Sequence, residues 1–311
     1  MQKYVIDKST VIGEGGYSRI YKCQDAIGIR GICKVIAKAK TTNDKFLREV
    51  NCMQRLAHSP KVVQLYDALE DEDAYYLIME WCRGGAIQDY TSSHNLYSEN
   101  TVASIVRGVL RGLAHVHRSG VVHRDIKPGN VLLTDKSPDA EVKLTDFGAA
   151  LVCESDGLID VDHMVGTPWY MAPETLRSKI AHASDMWSVG VMTYQLLTGH
   201  MPFDGASVQD VWRKLLTTEP KWGDERWEKI SLDALMFVQW CLQKDAKDRP
   251  SAMEALEHPW LTKTSCEDRF TGTSIELKTV ANNSIFDQAN SWSVSDMPRI
   301  GLGVDCNVSA K

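Results

Sequence analysis

Between residues 4 and 38 the chain alternates short runs rich in β-branched and aromatic residues with turn signals: YVIDKSTVIGEGG, YSRIYKC and GICKVIAK. Such runs, bounded by Gly and Asp, predict strands. Over residues 42–56 the period changes. Phe46, Leu47, Val50, Met53 and Leu56 recur at helical spacing and predict an amphipathic helix. Residues 62–69 and 74–81 return to strand-like runs, and Cys82-Arg83-Gly84-Gly85 then interrupts the pattern. Beyond that break the chain reads as mainly helical. Ser98 stands as N-cap of a helix that carries Val102, Ile105, Val106, Val109, Leu110 and Leu113 on one face. Two short β segments follow at 131–134 and 141–144, and the almost wholly apolar SDMWSVGVMTYQLLTGHMPF predicts a helix at the centre of a core. Ser251 and Glu254 form a capping box that opens a final helix ending in HPWL at Leu261. From 262 to 311 Ser, Thr and Asn are dense, while Ile275, Leu277, Val280, Ile285 and Phe286 are sparse. That composition predicts a disordered polar tail; the alternative is an inhibitory or docking segment packing residues 275–286 on the preceding unit.

Composition narrows the function classes. A chain of 311 residues with 43% hydrophobic residues buries a core, and its length suits one two-lobed unit or two domains. Lys+Arg 35 against Asp+Glu 41 gives a net charge of −6, so no basic excess points to nucleic acid or to an anionic membrane. Cysteines at 23, 33, 52, 82, 153, 241, 266 and 306 include no C-x-x-C pair and no metal-spaced cluster. They read as reduced thiols of an intracellular protein, cytoplasmic or nuclear. The opening MQKYVIDKS has no apolar core for a signal peptide, Gln2 excludes the myristoylation pattern, and no apolar run reaches membrane-spanning length. The expectation is a monomer without a membrane anchor.

The candidate chemistry lies between residues 122 and 148. VVHRDIKPGN and KLTDFG place Asp125, Lys127, Asn130 and Asp146 on two turns joined by the two short β segments. Two carboxylates, an amide and a cation are what phosphoryl transfer needs: an acceptor hydroxyl held in line, a carboxylate to take its proton, and metal ions on the phosphate oxygens. The order H-R-D-I-K-P-G-N then D-F-G resembles the catalytic-loop and metal-binding signatures of eukaryotic-type protein kinases, with Ile126 in place of Leu. The resemblance extends over residues 4–261 and implies an α+β, two-lobed protein kinase fold. A small antiparallel β-sheet lobe with one helix would occupy 4–80, the hinge 81–84, and a larger, mainly helical lobe 85–261.

The same resemblance implies site residues throughout. Gly13, Gly15 and Gly16 with Ile12, Glu14 and Ile20 match the glycine-rich loop over ATP, with Ser18 at its third glycine position. Lys34 of I-C-K-V would contact the α- and β-phosphates, and Glu49 of F-L-R-E-V would pair with it. Ile32 and Leu132 would sandwich adenine, Met79 would gate the back pocket, and Glu80 and Cys82 would offer backbone groups. Asp125 would be the base. Lys127 and Thr167 of GTPWYMAPE mark serine/threonine acceptors, and Asn130 and Asp146 would hold Mg²⁺. Asp185 would brace the catalytic loop, Glu174 would pair with Arg249, and His115, His117 and His123 would be structural. The segment before Gly166 reads DVDHMV without a hydroxyl, so either Asp160 or Asp162 pairs with Arg124 or the loop is acidic and flexible. Ser155 remains a possible modification site.

YLIMEWCRGG, Trp227 to Ser231 and EALEHPWL look most like the calcium/calmodulin-dependent and calcium-dependent protein kinases. No D-x-[DN]-x-[DN]-G loop occurs, so no EF-hand calcium binding is expected, and no basic amphipathic helix for calmodulin is present. Ala86 and Gly129 occupy places where relatives carry acids that select Arg, with Asp89 as a substitute. The expected partners are protein substrates; the rival reading is a pseudokinase or nucleotide-binding scaffold without turnover.

Overall fold

The computed structural model describes residues 4–16, 18–90, 97–137, 139–153, 157–223 and 225–263. Its first lobe holds β1 (Tyr4–Glu14), β2 (Ser18–Asp25), β3 (Arg30–Ala37), α1 (Asn43–Arg55), β4 (Leu65–Glu70) and β5 (Ala74–Met79). The strands form one antiparallel sheet in the order β1-β2-β3-β5-β4. The Thr42 hydroxyl accepts from Lys45 N and caps α1. That helix buries Phe46, Val50 and Met53, and Phe46 stacks on Tyr75 with centroids 4.2 Å apart. Leu47, which the helical spacing includes in the apolar set, is exposed, because the i, i+4, i+7 stripe of Phe46, Val50 and Met53 leaves it to one side. Glu49 lies inside the stripe and is buried, so its charge requires a partner.

The second lobe opens with β6 (Gly85–Ala86) and α2 (Glu99–Arg118), followed by β7 (Val121–Val122), β8 (Val131–Leu133), β9 (Val142–Leu144), β10 (Leu151–Val152), β11 (Ile159–Asp160) and β12 (Lys179–Ile180). The helices α3 (His182–Thr198), α4 (Val208–Thr217), α5 (Leu232–Cys241), α6 (Ala252–Leu256) and α7 (Pro259–Thr262) complete it. Ser98 caps α2 by accepting from Thr101 N, and α2 buries the apolar face that its sequence pattern predicts. Nearly every residue of α3 is buried, and Trp187 at its middle is fully enclosed. The capping box at Ser251 and Glu254 forms, but the expected final helix is two. Pro259 disfavours helical backbone at His258 and starts a new helix, whose N-cap is the His258 ring accepting from Trp260 N. The predicted tail lies beyond Lys263, outside the described residues, apart from Thr262 and Lys263 themselves.

The short strands position the site. β8 pairs antiparallel with β9, placing Val131 opposite Leu144, and β7 pairs with β10. The connecting segment between the lobes docks on the same platform, as Arg83 N donates to Thr134 O (2.9 Å) and Gly84 N to Leu133 O (3.0 Å).

Candidate active site

Because β8 and β9 run antiparallel, the residue before one and the residue after the other meet: Thr145 N donates to Asn130 O (3.1 Å), and Asp146 follows at once. This pairing brings the two sequence motifs to one place. The loop between β7 and β8 is held from behind by Asp185 of α3, fully buried, which accepts from His123 N (2.9 Å) and Arg124 N (2.8 Å). Asp185 also bonds His117 Nε2 (2.8 Å). Burial alone would push the Asp185 pKa up; the hydrogen bond and charge of His117, then His123, outweigh it and hold the carboxyl below its ordinary value. His123 is fully buried, its Nε2 lies 3.0 Å from Thr145 O, within hydrogen-bonding distance, and its ring lies 4.8 Å from that of Phe147. It is a packed residue. Arg124 and Asp146 both sit in left-handed backbone, φ 70° and 63°, a conformation that costs a non-glycine residue about 1–3 kcal/mol and persists where packing enforces it.

Asp125 is held on all sides. Oδ1 accepts from Thr167 N (2.9 Å) and Thr167 Oγ1 (2.6 Å), while Oδ2 accepts from Asn130 Nδ2 (2.9 Å) and lies 2.9 Å from Lys127 Nζ. Lys127 Nζ also donates to Thr167 Oγ1 (2.7 Å), and Asn130 Nδ2 to Asp125 O (2.8 Å). Carboxylate, cation and hydroxyl thus form a closed ring whose orientation does not depend on solvent.

On the opposite lobe, Lys34 of β3 donates to Glu49 Oε1 and Asp146 Oδ1, both at 2.8 Å. Burial would lower the Lys34 pKa, yet Asp146 and then Glu49 outweigh it and raise it, so the ammonium stays charged. Lys34 holds the Asp146 pKa well below the carboxylate range against the opposing effect of burial. For Glu49 burial dominates and pushes the pKa up, offset in part by Lys34. The Asp146 side chain keeps 45% of its exposure, whereas that of Glu49 keeps 6%. Asp146 therefore presents a free oxygen to the cleft, while Glu49 is spent on positioning Lys34. Among the described residues no three His, Cys, Asp or Glu side chains group as a metal site by themselves; the donors here are one carboxylate and one amide oxygen.

The glycine-rich turn between β1 and β2 closes through Gly15 N donating to Ser18 O (2.9 Å), with Gly13 opposite Ile20 and Glu14 opposite Arg19. Gly15 and Gly16 have ordinary φ, and a Cβ at Gly16 would meet nothing within 4 Å. The loop's own fold does not demand these glycines. Ile12 is exposed, Ile20 and Leu132 are partly buried against the core, and Ile32 and Met79 are buried and paired across β3 and β5. At the hinge, one of the two backbone groups of Glu80 is already engaged. Its amide N–H already donates to Gln64 O (2.9 Å), so only its carbonyl remains for a ligand. Its side chain lies 2.7 Å from Lys143 Nζ of β9, a tie that the sequence reading missed. The available signal was a lysine between the apolar Val142 and Leu144 on a short buried strand. Cys82 is buried, and its carbonyl accepts from Gly85 N.

The segment leading to Thr167 departs from expectation. Neither Asp160 nor Asp162 holds Arg124. Asp160 pairs with Lys179 at 3.2 Å, and the Arg124 guanidinium donates instead to the backbone carbonyl of His163 (3.0 Å). Ser155 lies outside the described residues. Gly166 has φ +122°, and a Cβ there would sit 2.4 Å from Arg124 O. Replacing Gly166 with alanine is therefore expected to push Thr167 off Asp125 and to lower kcat by about 10²-fold, the usual cost of an ångström-scale misplacement. Nucleotide affinity, measured by calorimetry on the same variant, should be unchanged, since no group of the first lobe is touched.

Comparison with known proteins adds an independent observation. The protein kinase domain family matches residues 6–261. Calcium-dependent protein kinase 5 of Plasmodium berghei is 34% identical over 262 residues, 84% of this chain and 46% of that protein. Calcium-dependent protein kinase 29 of Arabidopsis thaliana is 37% identical over 263 residues, 83% of this chain and 49% of the relative. A calcium/calmodulin-dependent serine/threonine-protein kinase 1 of Oryza sativa subsp. japonica is 35% identical over 269 residues, 84% and 44%. The chain spans about half the length of the curated relatives it matches.

Proposed function

We propose that this chain, which belongs to the protein kinase domain family, transfers the γ-phosphate of ATP to serine and threonine hydroxyls of protein substrates. The observation that carries this reading is the junction of two built groups: the Asp125–Lys127–Thr167 ring and the Lys34–Asp146 pair, joined through the Asn130–Thr145 backbone bond.

Each residue then has a role its surroundings support. Lys34, kept charged by two carboxylates, binds phosphate oxygens of the nucleotide, and Glu49 fixes its position. Gly15 and Gly16 let the backbone approach the phosphates, and Ile12, Ile20, Ile32, Leu132 and Met79 enclose adenine. The Glu80 carbonyl and the Cys82 N–H remain for its edge. Mg²⁺ fits the donor set: Asn130 spends Nδ2 on Asp125 and keeps Oδ1, and Asp146 keeps an exposed oxygen, both hard ligands. When bound, the ion neutralises charge on the phosphate oxygens. Asp125 orients the acceptor hydroxyl and takes its proton. Lys127 stabilises the charge beside it, and Thr167 fixes the carboxylate against rotation. The serine/threonine preference is supported by the Lys127–Thr167 contact and by the relatives' printed name in rice.

The test is incorporation of labelled γ-phosphate into generic protein substrates followed by phosphoamino-acid analysis, with Asp146→Asn as control. Label on serine and threonine that vanishes in the variant is expected; label confined to tyrosine, or none from an enzyme that binds nucleotide, would exclude the proposal.

A further inference from the structure

The turn between β1 and β2 is closed by its own backbone and then held from outside by a side chain that belongs to neither sequence motif. Gly15 N–H is engaged with Ser18 O, and Glu14, the carboxylate of the turn, pairs with Arg19 at 2.9 Å. Lys40, 24 positions along the chain, donates from Nζ to Gly16 O (3.3 Å). Its base is firm. Lys40 ends the single turn Lys38–Lys40 that joins β3 to α1. In that turn Lys38 N donates to Asp73 O (2.9 Å), and Lys38 Nζ lies 2.7 Å from Glu70 Oε2 and 4.9 Å from the centre of the Tyr75 ring. The Lys40 side chain itself is exposed, and among the described residues Gly16 O is its one partner.

A long bond to one exposed carbonyl is a weak hold, because water competes for both groups and the lysine stem loses freedom in making it. What sets this lysine apart is the place of its uncancelled charge. The ammonium lies at Gly16, in the turn proposed to close over the nucleotide phosphates, and no carboxylate of the described residues faces it. Lys34, by contrast, is shared between Glu49 and Asp146 at 2.8 Å each, so its charge is already balanced before a polyphosphate arrives. The connection that carries Lys40 runs directly from the strand of Lys34 to the helix of Glu49, so its position follows that pair. We propose that Lys40 is a nucleotide-positioning residue, whose ammonium takes an oxygen of the terminal phosphates while holding Gly16, so that the glycine-rich turn closes more firmly over a triphosphate than over an empty cleft. By linkage, bound phosphate strengthens the Lys40–Gly16 contact as much as that contact strengthens phosphate binding. This inference rests on the reading of the cleft as an ATP site and adds a residue to it.

The experiment measures Kd by calorimetry on the full chain at saturating magnesium, for a non-hydrolysable ATP analogue and for adenosine. Lys40→Met keeps the stem and removes the charge. It should weaken the analogue about fivefold, the upper range for one exposed charge pair, and leave adenosine unchanged. Lys40→Arg should recover at least about half of the loss. Raising chloride should bring variant and parent together, because screening removes an exposed attraction. In turnover with a generic protein substrate, KM for ATP should rise in Lys40→Met while KM for the protein stays constant. An equal loss for adenosine would assign Lys40 to the fold of the lobe and overturn the proposal, as would an unchanged Kd for the analogue or an arginine that recovers nothing. A parent chain that binds neither ligand would overturn the ATP reading and this inference together; a parent that binds the analogue regardless of the charge at residue 40 would overturn this inference alone.

Discussion

Asp146→Asn should lower the rate of phosphoryl transfer by about 10³-fold, the scale seen when one preorganised charge is removed from a transition state. The substitution preserves volume and shape. Its side chain is 45% exposed, so the change in folding stability should be small. What is lost is the charge that Lys34 now shares with Glu49 and the oxygen facing the cleft. Lys34 keeps Glu49 and therefore remains placed, which separates this variant from a collapse of the pair. Steady-state kinetics over a magnesium series would check the prediction: kcat should fall, and the magnesium needed for half-maximal rate should rise. The pH dependence follows from the sign of the shift. Lys34 lowers the Asp146 pKa below its ordinary 3.8, so the carboxylate stays ionised at any pH above that value. Its contribution to stability is fully present there and is lost only as pH falls through the lowered pKa. No limb of the activity profile between pH 5 and 8 should belong to Asp146.

Arg249→Ala should destabilise the second lobe by roughly 3–5 kcal/mol, the cost of leaving a buried partner charge uncompensated. The Arg249 side chain is fully buried and the Glu174 side chain keeps 9% of its exposure. The guanidinium grips both Glu174 oxygens, at 2.7 and 2.8 Å. It also donates to the carbonyls of Gln243, Ala183 and Lys244, and it lies 5.1 Å from the Trp187 ring centre. Removing it leaves Glu174 with only the Ser184 hydroxyl and strands three carbonyls. Denaturant titration should show a lower midpoint with the slope preserved. The Glu174→Leu/Arg249→Leu pair should recover part of the loss, because the desolvation penalty disappears with both charges. A loss below about 1 kcal/mol for the single variant would place the bridge with weak surface pairs instead.

The parts legible in the sequence were those where chemistry restricts residue type at fixed spacing. Asp125, Lys127, Asn130 and Asp146 could be named together because two turns and two short strands separate them by so few residues that little freedom remains. Glu49 could be named only through the resemblance of F-L-R-E-V to the family helix, because a lone glutamate on a helix otherwise reads as solvated; its burial shows only in the fold. What the sequence hid depends on the backbone or on long separations. Arg124 takes the His163 carbonyl, and every residue has a carbonyl, so no residue type announces that bond; the acids at 160 and 162 were the visible but wrong partners. The Glu80 amide is spent for the same reason. Lys143 with Glu80, and His117 with Asp185, join residues 63 and 68 positions apart through packing of whole elements, which no local pattern encodes. The division of the last helix follows from Pro259 itself, which disfavours helical backbone at His258.

The central proposal is a single cleft in which Lys34 would hold nucleotide and Asp146 and Asn130 would hold a divalent ion. Calorimetric titration with a non-hydrolysable ATP analogue, at zero and at saturating magnesium, tests it most directly. Binding that magnesium tightens in the parent chain and leaves nearly unchanged in Asp146→Asn is the predicted result. Absence of nucleotide binding by the folded parent at every magnesium concentration would contradict it.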